Sequence, residues 1–113
     1  MSNVVYVNVE DGAKRVMNNT KLYAKLLDKF KQDQTFNELI TVLAQGDIDK
    51  AQSASHTFKG LTANLSLSEL YKQCVELEAQ TKTGSVNPEQ VEIVKNAYNE
   101  TLKEIDKVIS QYV

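Results

Sequence analysis

The sequence contains few residues that interrupt helices and few that bind metals or cross-link chains. Among 113 residues there are one proline, four glycines, one cysteine, one histidine and no tryptophan. So few breakers favour helices joined by short turns. The single cysteine, Cys74, excludes an intramolecular disulfide and fits a reducing, cytoplasmic location. One histidine and one cysteine do not supply the usual ligand set of a metal site, so we expect no bound metal.

Charge and hydropathy exclude further classes of protein. The formal net charge is −2, which leaves no basic surface for nucleic acid. No apolar run approaches the roughly 18 residues that span a bilayer, and the opening MSNVVYVNVEDG lacks the segments of a signal peptide. There is no glycine-rich phosphate loop and no kinase signature, so we expect no use of ATP. The expectation is a single cytoplasmic domain over residues 1–113 that binds neither nucleic acid nor membrane.

Apolar residues recur with the period of amphipathic helices through most of the chain. Leu22, Leu26 and Phe30 form one such stripe, and the clearest runs from Val91 to Tyr112. Short connections favour antiparallel neighbours. We therefore predict an all-α fold, an antiparallel (up-down) four-helix bundle with an additional short N-terminal helix, and an extended arm over residues 1–7 that covers one end of the bundle. The predicted helices cover residues 8–18, 20–32, 34–45, 47–65, 67–83 and 88–112, the second and third being either separate or one kinked helix.

Turn residues predict where several helices begin and end. Gly46 is expected to end the third helix. Ser66-Leu67-Ser68-Glu69 has the pattern of a capping box in which Ser66 is the cap. The other predicted caps are Asn8, Thr20, Asp47 and Asn87, the last followed by a proline at the first helical position.

The only histidine falls on the outward face of the fourth predicted helix. At about 100° per residue, Phe58 and Leu65 lie in the core-facing sector and His56 lies nearly opposite. Gly60 shares the outward face, one turn after His56, although a glycine inside a helix costs about 1 kcal/mol relative to alanine. Two interpretations are open. Gly60 is either a tolerated surface glycine or part of a bare patch, extended by Ala63, that lets a bulky partner approach the imidazole.

The following helix carries a carboxylate in its apolar stripe. Glu78 lies in the same sector as Leu70 and Cys74, and a carboxylate there needs a partner. If this helix returns antiparallel beside residues 47–65, Glu78 reaches the height of His56. It can then accept a hydrogen bond from Nδ1–H and leave Nε2 unprotonated towards solvent. The alternative is a partly exposed glutamate paired with a lysine.

These residues together resemble a known family, the histidine-containing phosphotransfer (HPt) domain. The resemblance rests on His56-x-x-Lys59-Gly60, Ala63-Asn64-Leu65 and Leu70-x-x-x-Cys74-x-x-Leu77-Glu78, with the opening Val9-Glu10-Asp11-Gly12 and Gly46-Asp47 in the same pattern. It extends from about residue 8 to residue 112. HxxKG alone fixes only three positions, but it gains specificity when LxxxCxxLE follows at the family's separation. Ser66 departs from the pattern, because the family usually has glycine there.

The resemblance implies a phosphorelay intermediate that exchanges a phosphoryl group between a histidine and an aspartate of a response-regulator receiver domain. His56 would be the nucleophile and carrier through Nε2, Lys59 would offset the charge of the phosphoryl oxygens, and Glu78 would orient the imidazole. The residues expected to contact the partner are Gln52, Ser53, Gly60 and Ala63. The protein would be a monomer without kinase activity of its own, downstream of a histidine kinase or hybrid kinase. It would need no cofactor, because Mg²⁺ is expected on the receiver.

Other classes fit the sequence less well. An HPt-fold docking module that binds or sequesters receivers without phosphotransfer has no need of His56 and Lys59. A metal-binding bundle lacks ligands. An ATP-using histidine kinase is excluded by length, unless the chain is a fragment of one.

Overall fold

The computed structural model describes residues 4–112, and every regular element within that range is a helix, which confirms the predicted all-α class. The helices are α1 (Val9–Lys14), α2 (Thr20–Gln32), α3 (Thr35–Ala44), α4 (Ile48–Asn64), α5 (Ser68–Lys82) and α6 (Pro88–Tyr112). The first helix is shorter than the predicted 8–18. Met17 and Asn18 have left-handed backbone angles, with φ of 59° and 60°, and such angles end a right-handed helix.

Contacts run from helix to helix around a common core. α3 packs on α4, α4 on α5, α5 on α6 and α6 on α2, while α1 packs on α2. α2 and α3 are separate helices, because Asp33 is extended and its carboxylate accepts the backbone N–H of Thr35 at 2.7 Å. These neighbours are compatible with the predicted four-helix bundle if α2 and α3 together form one of its sides. The up-down order itself stays a prediction.

An aromatic cluster in the core fixes which face of α4 turns inward. Phe58 of α4 is 1% exposed, and its ring centroid lies 5.3 Å from that of Phe36 and 6.1 Å from that of Phe30. Phe36 stacks on Tyr98 of α6, with 3.8 Å between ring centroids. Rings of this size contribute much of the burial energy of a small core. α4 is therefore held with Phe58 inward, and the opposite side of the helix faces solvent.

The predicted caps are right at three positions and wrong at a fourth. Asn87 precedes Pro88, the first residue of α6, and its side chain accepts the Glu89 N–H at 2.9 Å. The side chains of Asn8 and Asp47 each accept a backbone N–H bond from three residues on, at 3.1 Å, which confirms both as caps. Thr20 is instead the first residue of α2, and Asn19 caps it by accepting the N–H of Leu22 at 3.0 Å. Asparagine is the stronger N-cap of the two residue types, and it occupies the position with non-helical backbone angles.

α3 and α4 end in the same way, at Gly46 and Ser66. Both residues are left-handed, with φ of 72° and 57°. In each case, the N–H of the left-handed residue donates to the carbonyl three residues before it. The N–H of the following residue donates to the carbonyl five residues before itself, and all four distances are 3.0–3.2 Å. This is the Schellman arrangement, and it confirms Gly46 as a helix stop.

The capping box predicted at Ser66 is wrong, because Ser66 ends α4 and does not begin α5. The cap position of α5 is Leu67, without a side-chain hydrogen bond, while the Ser66 hydroxyl donates to Asp11 of α1 at 2.6 Å. The left-handed angle at Ser66 is one that glycine adopts at no steric cost, which fits the glycine usual at this position in the resembled family.

The chain before α1 crosses the turn between α4 and α5. Residues 4–8 are not helical. The Asn8 N–H donates to the Ser66 carbonyl, and the Glu69 N–H donates to the Val5 carbonyl, both at 3.0 Å. Residues 1–3 of the predicted arm lie outside the described residues, so the arm's extent over 1–7 and the single domain over 1–113 stay predictions.

Candidate functional site

His56 projects from the outward face of α4. Its side chain is 70% exposed, whereas Phe58, two residues later, is buried in the aromatic cluster. The helical periodicity that buries Phe58 therefore presents the imidazole to solvent. An exposed ring can meet a second macromolecule directly.

Glu78 of α5 holds one nitrogen of that ring. His56 Nδ1 lies 3.0 Å from Glu78 Oε2, and the carboxylate side chain is only 6% exposed. The short turn at residues 65–67 places α5 beside α4 and so brings the two side chains together. An ionised carboxylate can only accept, so Nδ1 carries a hydrogen, and in the neutral ring Nε2 then keeps its lone pair. The tautomer that results has its nucleophilic nitrogen on the solvent side.

Lys59 pairs with the other oxygen of the same carboxylate. Its ammonium lies 2.6 Å from Oε1, so the two groups form a close ion pair. The Lys59 ammonium and the hydrogen bond from His56 lower the pKa of Glu78, against burial, which raises it. In return, Glu78 raises the pKa of Lys59. The structure places the Lys59 ammonium at Glu78, and the contact with phosphoryl oxygens expected from the sequence stays a prediction.

A second lysine, Lys82, lies at this carboxylate and was not among the predicted site residues. Its ammonium is 3.8 Å from Oε2, and its side chain is 59% exposed. It follows Glu78 by four residues on α5, so the i,i+4 spacing was the signal that could have found it. A shallow depression in the surface is lined by Asp49, Gln52, Ser53, His56, Glu78 and Lys82. The structure thus brings the predicted residues Gln52 and Ser53 beside the imidazole.

Gly60 and Ala63 lie further along α4. A Cβ added at Gly60 would meet no neighbouring atom of residues 4–112 within 4 Å, so the surface they form there is open. Ala63 shares a second depression with Tyr71 of α5, which is 39% exposed, and Val75 one turn later is 43% exposed. A surface with small side chains on α4 and apolar ones on α5 therefore continues from the histidine towards the α4–α5 turn.

The comparison with protein families agrees with this geometry. The family model described as Hpt domain matches residues 25–109. The chain belongs to the Hpt domain family. The Hpt match begins inside α2 and ends within α6, so it includes His56, Lys59 and Glu78 and leaves out α1. No curated protein and no solved structure gives a significant match to the chain.

Membership of the Hpt family confirms the resemblance seen in the sequence. Hpt domains carry a phosphoryl group on histidine in two-component phosphorelays and are not kinases. Within residues 4–112, no three His, Cys, Asp or Glu side chains are grouped so that they could hold a metal ion. None of the described helices is both long enough and apolar enough to cross a membrane.

Proposed function

We propose that this Hpt domain is a phosphorelay intermediate that accepts a phosphoryl group on His56 Nε2 and exchanges it with an aspartate of a receiver domain. The observation that carries the proposal is the pairing of an exposed imidazole with a buried carboxylate. Nδ1 is tied to Glu78 at 3.0 Å, while most of the ring faces solvent. Such a ring has its nucleophilic nitrogen free and its orientation fixed before the partner arrives.

The chemistry follows from the tautomer. The lone pair of Nε2 attacks the phosphorus of an aspartyl phosphate, the acyl P–O bond breaks, and the aspartate leaves as carboxylate. The ring then carries a positive charge with Nδ1 still protonated, and Glu78 lies in position to stabilise that charge. In the reverse direction, the same ring is the leaving group when the aspartate attacks.

The remaining roles divide between this chain and its partner. Lys59 places positive charge one turn from His56, where it pairs with the carboxylate that holds the ring, while Gln52 and Ser53 form the rim next to the ring. Gly60 and Ala63 leave room for the receiver, whose phosphoaspartate must come close to Nε2. Phosphoryl transfer generally needs Mg²⁺, and we assign that ion to the receiver. The chain itself would act as a cytoplasmic monomer, supplied by a histidine kinase or hybrid kinase.

Phosphoryl transfer from charged receivers tests the proposal. Receiver domains from a range of response regulators, charged with acetyl phosphate, are incubated with the protein and with His56→Gln. The wild type is expected to acquire an acid-labile, alkali-stable label, and His56→Gln is expected to acquire none while remaining folded by circular dichroism. Equal labelling of the variant would show that the site is wrong. If the wild type bound receivers but took no label, the docking module without phosphotransfer would be the better description.

A further inference from the structure

Two lysines share Glu78 with His56, but they do so in different ways. Lys59 is 25% exposed and lies 2.6 Å from Oε1, the oxygen that His56 does not use. Lys82 is 59% exposed and lies 3.8 Å from Oε2, the oxygen that holds the imidazole. One cation is therefore tightly paired and partly covered, and the other is loosely paired and mostly hydrated.

Of the two lysines, only Lys82 lines the surface depression beside the imidazole. The depression into which His56 opens is lined by Lys82, and Lys59 is not part of its lining. On the α4 side, Gln52 and Ser53 offer neutral polar groups, while Asp49 brings a carboxylate that repels a phosphoryl group. Lys82 is consequently the cation that faces this depression and can balance the added negative charge.

The free-energy cost of moving each lysine away from Glu78 also favours Lys82 as the residue that contacts the phosphoryl group. If Lys59 moved to a phosphoryl group, the buried carboxylate of Glu78 would lose its closest cation, and a buried charge left without its partner is strongly destabilising. Lys82 can swing from Oε2 to a phosphoryl oxygen at little cost, because its ammonium is already largely in water and only loosely paired.

We propose that Lys82 is the lysine that contacts the phosphoryl oxygens on His56, and that Lys59 is a positioning residue which acts through Glu78. This division of roles rests on the proposed function, since it requires a phosphoryl group on Nε2. It assigns a task to a residue outside the HxxKG motif and changes the task expected for the lysine within it.

Direct chemical phosphorylation separates the two roles without any receiver. In potassium phosphoramidate, Nε2 attacks phosphorus, the P–N bond breaks and ammonia leaves. The ³¹P NMR titration of the resulting phosphohistidine then reports a cation at its oxygens. Lys82→Ala is expected to raise the titration midpoint by about half a pH unit and to shorten the phosphohistidine half-life about threefold, the scale of one exposed ion pair. Lys82→Arg should retain the wild-type values, and Lys72→Ala, an exposed lysine earlier on α5, should not change them.

Lys59 is expected to change a different signal. In unphosphorylated Lys59→Ala, Glu78 loses its closest cation, so the ¹⁵N shifts of the His56 ring should show a larger share of the other tautomer. In Lys82→Ala, these shifts should stay as in the wild type. Lys59→Arg should restore the wild-type tautomer.

Several results would overturn the inference. If Lys59→Ala raised the ³¹P midpoint as much as Lys82→Ala with the tautomer unchanged, Lys59 would be the contact residue. Failure to phosphorylate His56 with phosphoramidate would also overturn it, because no phosphoryl group would then meet Lys82. A normal phosphohistidine that no receiver accepts would contradict the proposed exchange with receivers and leave the assignment of the two lysines intact.

Discussion

Gly12 and Gly60 both lie inside helices, but their surroundings are opposite. A methyl group at Gly12 would overlap the ring of Tyr23, which is 1% exposed and whose hydroxyl donates to the Leu65 carbonyl at 2.5 Å. A methyl group at Gly60 would meet no neighbouring atom of the described part of the chain within 4 Å. The first glycine lets α1 approach α2 closely, and the second contributes nothing to packing.

This difference separates a glycine required by the fold from one that has no structural benefit. A glycine inside a helix costs about 1 kcal/mol relative to alanine. At Gly12 the close approach of Tyr23 compensates for that cost. At Gly60 no packing contact in the described residues compensates for the cost, so we propose that this glycine serves to keep the surface beside His56 open. The two positions therefore give a matched pair for experiments.

The largest effect is expected at the packed glycine. Gly12→Ala should lower the free energy of unfolding by about 1–3 kcal/mol, because Tyr23 is buried, hydrogen-bonded and unable to move away without disrupting the core. Urea unfolding followed by circular dichroism measures the change.

The same substitution at the open glycine is the control. Gly60→Ala should raise the free energy of unfolding by about 0.5–1 kcal/mol, because it gains helix propensity without a clash. If both alanine variants changed stability in the same direction, the contrast between the two glycines would not hold.

A second prediction concerns binding at the open glycine. Gly60→Leu should leave the protein at least as stable as the wild type, because a Cβ there meets no neighbouring atom of the described residues and leucine favours a helix more than glycine does. It should weaken receiver binding by about tenfold or more, which corresponds to about 1.4 kcal/mol. Calorimetric titration with a receiver that exchanges phosphoryl groups with the wild type measures it, and Gly60→Ala should lose much less. Unchanged affinity in Gly60→Leu would return Gly60 to the status of a tolerated surface glycine.

The sequence was informative where a property depends on helical periodicity. The orientation of His56 and the depth of Glu78 both follow from the positions of apolar residues along a helix, and both can be read from one segment at a time. The resemblance to the HPt family then indicated that the segment with His56 and the segment with Glu78 form one site. The structure adds the distances that bring the imidazole and the carboxylate together.

The sequence was misleading where the answer depends on tertiary contacts or on a single backbone angle. Ser66 followed the local rule for a capping box, yet it adopts a left-handed angle and bonds to Asp11, which is distant in sequence. The i,i+4 spacing on α5 indicates that Lys82 can reach Glu78, but the approach of Lys59 to the same carboxylate depends on how α4 packs against α5. No periodicity in a single helix contains that information.

The smallest predicted effect compares the carboxyl groups of the same two regions under acid. Asp11 lies at the α1 junction, where the Ser66 hydroxyl and Arg15 lower its pKa. Glu78 lies below the open surface, where Lys59 and then His56 lower its pKa. Both folded-state values are therefore below those of the unfolded chain, which are about 3.9 for Asp and about 4.3 for Glu. The unfolded state takes up protons first as the pH falls, so each contribution is complete above the unfolded value and is lost as the pH falls through the folded value.

Charge-neutral variants assign that acid sensitivity to one region or the other. Between about pH 6 and about pH 3, Glu78→Gln should lose less unfolding free energy than the wild type, and the difference should begin at the higher pH because glutamate titrates first. Asp11→Asn should show its difference only at the lower end of the range. The effect is small because burial opposes the lowering of both pKa values. Urea unfolding at intervals across the range measures it. If the unfolding free energy of Glu78→Gln fell with pH as steeply as that of the wild type, the pairs that Glu78 makes with Lys59 and His56 would not stabilise the fold. The role of this carboxylate would then be limited to the chemistry of the histidine.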